Sequence, residues 1–133
     1  LTFKQNHGIF KLVLQFEEAI MAKKNPLLTT PPYAIEQALT RLGANLRTAR
    51  LRRNLTIEEV AEKIGTGPRA VSDAEKGKPS TGIAVYMALL WALGLLGQME
   101  DVADPAKDKE GQTLALSRER SRARQSGETD NDF

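Results

Sequence analysis

The 133-residue sequence predicts an all-α fold, a bundle of five helices set between flexible N- and C-terminal segments. Three observations predict it. Apolar residues recur at three- and four-residue steps through the middle of the chain. The composition is 41% hydrophobic but only 5% aromatic, so the core must be built from Leu, Ile, Val and Ala, a mixture that favours helices over strands. Glycine, proline and helix-capping residues stand where the helices should end.

Residues 1–32 read as leader and linker. Ile9, Phe10, Leu12, Val13, Leu14 and Phe16 make a short apolar stretch that Glu17 and Glu18 interrupt, with no small-residue cleavage site for a secretory signal. Met21 opens a plausible soluble start, and two purine-rich Glu codons would lie just upstream, where a bacterial ribosome-binding sequence belongs. Residues 1–20 are therefore expected to be translated leader outside the native protein, with an amphipathic arm as the alternative. Residues 25–32 hold three prolines and two threonines, which predicts an extended linker.

The folded domain is expected over residues 33–104. From 33 to 53 Ile35, Leu39, Leu42, Leu46 and Ala49 form one buried stripe, on one helix or on two broken at Gly43. Thr56 with Glu59 makes a capping box that starts a two-turn helix at Ile57, with Val60, Ala61 and Ile64 inside and Gly65 at its end. Pro68 suits the first position of the next helix, 68–76, which Gly77 stops. Ile83, Tyr86, Met87, Leu90 and Leu93 form a stripe on a helix over 83–96 that is apolar on its other faces too, with more to bury than one core requires. A last short helix is expected at 98–103. Residues 105–133 read as a charged, largely disordered tail.

The chain has no cysteine and a single histidine, His7, so it lacks the usual nitrogen and sulfur ligands for a metal, and no cofactor is expected. No phosphate-cradling glycine loop or paired carboxylate in an apolar setting supports an enzyme. No stretch approaches the roughly 20 apolar residues of a membrane span, and cysteine usage fits a cytoplasmic protein. The net charge is only +2, yet arginines cluster at 41, 47, 50, 52 and 53 and again at 118, 120, 122 and 124. Both clusters could meet phosphate.

Two short helices joined by a tight glycine turn are the architecture that lays its second helix in a major groove. Residues 55–65, LTIEEVAEKIG, followed by 71–79, VSDAEKGKP, resemble the Cro/C1-type (XRE) helix-turn-helix family, over roughly 42–96. The resemblance implies a five-helix, lambda-repressor-like domain. It implies that Ala61 sits at the helix crossing, Gly65 in the turn and Val71 as the anchor of the recognition helix. Glu75 would be structural, pairing with Arg50. Exposed on the recognition helix would be Gly67, Arg69, Ala70, Ser72 and Asp73. Arg69 is the expected base reader, since its fork can donate to guanine O6 and N7. Ser72 could bond base or phosphate, and Asp73 could accept from cytosine N4 or repel phosphate. Arg47, Lys76 and Lys78 would hold the backbone, and Thr56 completes the expected DNA-binding set. The chain departs from the family in having Ile57 where Gln is common and Gly67-Pro68 where Ser-Arg is common.

Proteins of this kind usually bind paired half-sites as dimers. Tyr86, Leu90, Trp91, Leu95, Leu96 and Met99 are the expected homodimer interface, the alternative being that several of them fill the monomer core. Residues 89–96 and 102–108 further resemble HipB-type antitoxins, which are encoded beside HipA-type serine/threonine kinase toxins. That resemblance implies an operator-binding autorepressor with a kinase toxin as partner, in which the arginines at 118–124 could touch DNA or an acidic toxin surface, or belong to an ordinary charged tail. A stand-alone XRE-family repressor, or an interaction adaptor that has lost DNA binding, are the alternatives.

Overall fold

A computed structural model of the chain describes residues 8–16 and 25–129. Among the described residues the structure is helical, with no strand. It divides into two compact units, Leu1–Leu93 and Gly94–Phe133. Glu17, Glu18 and Met21, on which the leader reading of residues 1–20 rests, lie outside the described residues, as do residues 130–133.

In the first unit, α1 covers residues 8–16, with its apolar side chains exposed. The segment expected as an extended linker instead contains a one-turn helix, α2 (Pro26–Thr29). Proline disrupts helix interiors but suits the first turn, and here the Asn25 side chain accepts from the Leu27 amide at 3.0 Å while Pro26 opens the helix. Pro31 and Pro32 follow its end.

The long helix α3 (Tyr33–Arg52) runs unbroken through Gly43. Its C-terminal half enters the core, with Leu46 at 2% exposure, whereas Ile35, assigned to the same stripe, remains 41% exposed. The capping box at the start of α4 (Ile57–Ile64) forms as expected: the Glu59 amide donates to Thr56 Oγ1 at 3.1 Å and the Thr56 amide donates to Glu59 Oε2 at 3.3 Å. Gly65 ends α4 in the left-handed region at φ +77°, a conformation costly for any side-chain-bearing residue. Gly67 caps α5 (Pro68–Glu75), which buries Val71 and Ala74 completely.

α6 (Ile83–Ala92) is shorter than expected, ending at Leu93 before Gly94, whose φ is +73°. It buries Tyr86, Leu89, Leu90 and Leu93, spaced as one helical face, while Ile83 is 68% exposed. Leu89, which is outside the expected stripe, is thus core, and Ile83, which is in it, is not. α5 packs against α3, α4 and α6, and α4 also packs against α6, so the core gathers around α5.

In the second unit, the short helix expected at 98–103 is a 3₁₀ helix two residues earlier, Leu96–Asp101. The tail expected to be largely disordered forms α7 (Lys109–Thr129). Asp108 starts it, its carboxylate accepting from the Gly111 amide at 2.9 Å, and Gln112 donates to the carbonyls of Pro105 and Ala106. Its side chains from residue 112 to 127 are all exposed, as the polar composition demands. No helix among the described residues is long and apolar enough to cross a membrane.

Candidate nucleic-acid interface

α5 has two faces. Val71 and Ala74 point into the core, while Arg69, Ser72, Asp73 and Lys76 recur at three- and four-residue steps along the other side. Arg69 and Lys76 are exposed, and Ser72, Asp73 and Ala70 are half-buried. Gly67 and Pro68 stand exposed at the entry to the helix.

Both ends of α5 are fixed. At its start the Gly65 turn sets the path from α4, the Thr66 amide donating back to the Ala61 carbonyl at 3.0 Å. At its end α3 approaches so closely that a Cβ on Gly43 would meet the Glu75 carbonyl oxygen at 2.5 Å and that of Ala74 at 2.6 Å. Gly77 has φ +69°, and a Cβ there would lie 2.5 Å from the Leu39 carbonyl oxygen. Gly43, the possible break in the sequence pattern, is therefore the notch into which the end of α5 fits.

Arg50 of α3 clamps the same end. Its Nε donates to Glu75 Oε1 at 2.5 Å, its Nη2 to Glu75 Oε2 at 3.1 Å and its Nη1 to the Leu55 carbonyl at 2.8 Å. Both side chains are over nine-tenths buried. The Glu75 carboxylate raises the Arg50 pKa against the opposing effect of burial, so the guanidinium stays charged. The pairing implied by the family resemblance is present, and it keeps Glu75 away from the exposed face.

Asp73 and Lys78 form a pair that the sequence reading treated as two separate DNA contacts. Lys78 Nζ lies 2.7 Å from Asp73 Oδ1, and this hydrogen bond lowers the Asp73 pKa, with Arg69 and Lys76 adding smaller electrostatic effects. The signal available in sequence was the five-residue step across a left-handed glycine, since the Lys78 amide turns back to the Asp73 carbonyl at 3.1 Å. Arg69 and Lys76 make no ion pair among the described residues. Arg47 is exposed on α3, and the Thr56 hydroxyl is engaged as the cap of α4.

Of the residues assigned to a homodimer, Tyr86 and Leu90 are 2% and 5% exposed and belong to the monomer core. Their helix turns that face toward α4 and α5, which the uniformly apolar sequence of α6 did not reveal. Tyr86 also donates to the Lys78 carbonyl at 3.3 Å, and burial raises its pKa. Trp91 is 55% exposed, with Lys63 Nζ 5.8 Å from its ring centroid and donating to the Ala92 carbonyl at 3.3 Å. In the second unit Leu96 is exposed, and Leu95 and Met99 are half-buried.

The helix-turn-helix family model matches residues 46–95, which take in the last third of α3 and all of α4, α5 and α6. A search of curated proteins and a search of solved structures each gave no match. The chain thus carries a helix-turn-helix unit in an all-helical fold, a unit characteristic of DNA-binding transcription regulators.

Proposed function

We propose that the protein is a sequence-specific transcriptional repressor of the Cro/C1 (XRE) type, inserting α5 into the major groove of an operator. The observation that carries this reading is the presentation of α5. Its apolar side is locked into the core by Gly43, Gly77 and the Arg50–Glu75 clamp, while Arg69 and Lys76 stand exposed on the other side. Arg69 reads a base edge, Ser72 contributes a hydroxyl, and Lys76 with Arg47 meets phosphate. The Asp73–Lys78 pair sets a near-neutral patch beside Arg69, and helix geometry leaves Gly67 and Ala70 as close-approach positions.

The test is an electrophoretic shift of a palindromic duplex from the promoter of the protein's own gene. Arg69→Ala should weaken this duplex by about 1–3 kcal/mol more than a random one. Equal losses on both would reject base reading by Arg69.

The protein acts on its operator as a homodimer, with Trp91 as the exposed anchor and Leu95, Leu96 and Met99 as further contacts. Sedimentation of the full chain, with Trp91→Ala for comparison, tests that contact. The antitoxin assignment, with a HipA-like kinase as partner, rests on the resemblance of residues 89–96 and 102–108. The family match ends at residue 95 and bears on only part of that stretch. A kinase gene of that type beside this one is the observation that would support it. No catalytic role is proposed, and the reading implies a cytoplasmic protein.

A further inference from the structure

Four arginines stand within seven residues of α7, at 118, 120, 122 and 124, and all are exposed. Glu119 is the one acidic residue among them. In a tail without structure they would be a diffuse charge. On a helix that turns about 100° per residue they fall into two pairs, Arg118 with Arg122 and Arg120 with Arg124, centred roughly 160° apart.

What lies between the pairs differs on the two sides. On the shorter arc are Ser117 and Ser121, with Leu114 before and Gln125 after them, and on the opposite side are Glu119 and Ala123. Leu114, Ser117, Arg118, Ser121 and Arg122 line one concave surface, and the Ser121 hydroxyl is turned back onto the Ser117 carbonyl at 3.0 Å. Over residues 117–124, α7 therefore has a face floored by two serines and walled on each edge by two arginines, with Glu119 on the back, while Glu110 and Glu128 fall on the serine side beyond either end of that stretch.

We propose that this face of α7 is a second duplex-DNA contact, a helix lying along a groove with each arginine pair reaching the phosphates of one strand. The dimensions agree. A helix with its side chains is about 10–12 Å across and the major groove about 12 Å wide, so side chains on opposite flanks meet opposite backbones while short serines allow close approach. An acidic protein surface could take the arginines of one edge but gives no reason for matched edges on either side of a small-residue floor. Residues 102–108 tether α7 to the rest of the chain, so once α5 has engaged DNA the second contact is intramolecular. The proposal rests on the DNA-binding reading above and adds affinity without sequence preference, since every contact is to phosphate.

The experiment is fluorescence anisotropy of the full chain on a mixed-sequence duplex of about 30 base pairs and on the promoter duplex, from about 50 to about 200 mM salt. Replacing all four arginines by alanine should reduce the slope of log K against log salt by about 3 to 4, equally on both duplexes. Each of Arg118→Ala/Arg122→Ala and Arg120→Ala/Arg124→Ala should remove about half of that. Alanine is the stronger helix former, so α7 is retained, as circular dichroism will verify. Glu119→Lys, on the back of the helix, should leave the slope nearly unchanged. If the wild type binds and the fourfold variant keeps its slope, the proposal is overturned while the function of α5 stands, and the arginines then serve a protein partner. Dependence on one pair alone overturns the two-edged geometry. A wild type that binds neither duplex overturns both readings.

Discussion

Arg50→Met removes the one cation paired with the buried Glu75 carboxylate among the described residues while keeping an unbranched apolar stem. Three hydrogen bonds are lost, at 2.5, 2.8 and 3.1 Å, and a carboxylate about nine-tenths buried is left opposite an apolar thioether. Breaking one side of a buried ion pair costs about 3–5 kcal/mol, chiefly through the unpaired charge. Glu75 lies at the edge of the core and Leu55 is half-buried, so water can partly rescue both groups, and the lower figure, about 3 kcal/mol, applies. A small domain has about 5–10 kcal/mol in all. The melting temperature should therefore fall by roughly 12 °C or more. The assay is urea denaturation followed by Trp91 fluorescence, because Trp91 is the sole tryptophan and reports on the first unit without the helical signal of α7. Arg50→Met/Glu75→Leu, with no charge left to strand, should recover to within about 1 kcal/mol of the wild type. A cost below about 1 kcal/mol for Arg50→Met alone would refute the argument. So would a double variant as unstable as the sum of the single ones.

Three further outcomes follow from the same geometry. Gly43→Ala would gain about 1 kcal/mol on an exposed helix surface, but here it should destabilise by about 1–3 kcal/mol in thermal melts, because the new Cβ meets backbone oxygens of α5 rather than a side chain that can move. Thr56→Ala should cost about 1 kcal/mol in the same melts through loss of the α4 cap. Asp73→Asn should release Lys78 and strengthen binding to random duplex a few-fold in anisotropy titrations. The Asp73 pKa is lowered in the folded protein, so its pairing with Lys78 is intact above the ordinary carboxylate range and lost as pH falls through the lowered value. Random-duplex binding by the wild type should therefore rise toward that of Asp73→Asn on acidification.

The α4–α5 unit was legible because its ends are marked by chemistry local to the chain. Thr56 with Glu59, Gly65 and Pro68 each specify a backbone conformation within a few residues, and each acts as the pattern required. Gly43 was left open between a break and a helix interior because its role depends on what crosses it, the Ala74 and Glu75 carbonyls about thirty residues away, which no local pattern records. α6 failed for another reason. With apolar residues on every side, periodicity could not decide between core and surface, so Ile83 shares a stripe with Tyr86 and Leu90 in the pattern but not in the fold, and the choice between dimer and core for Tyr86 and Leu90 stayed open. Asn25 and Asp108 were overlooked as caps because prolines in one case and polar composition in the other outweighed a single capping residue.

The rigid placement of α5 has a consequence for how specificity must be distributed. Its exposed face carries one unpaired long side chain in the central reading region, Arg69, while Asp73 is held by Lys78 and Gly67 and Ala70 offer no hydrogen-bonding side chain. A bidentate arginine discriminates by about 1–3 kcal/mol, whereas specific operators are preferred over random DNA by about 4–10 kcal/mol. One copy of α5 therefore falls short unless other contacts add to it. A second copy on the other half-site doubles the base contacts, and α7 would add phosphate contacts that raise affinity without widening the preference. The two contributions separate experimentally. Trp91→Ala should lower the ratio of operator to random binding, while alanines in place of the four α7 arginines should lower both affinities and leave the ratio where it was.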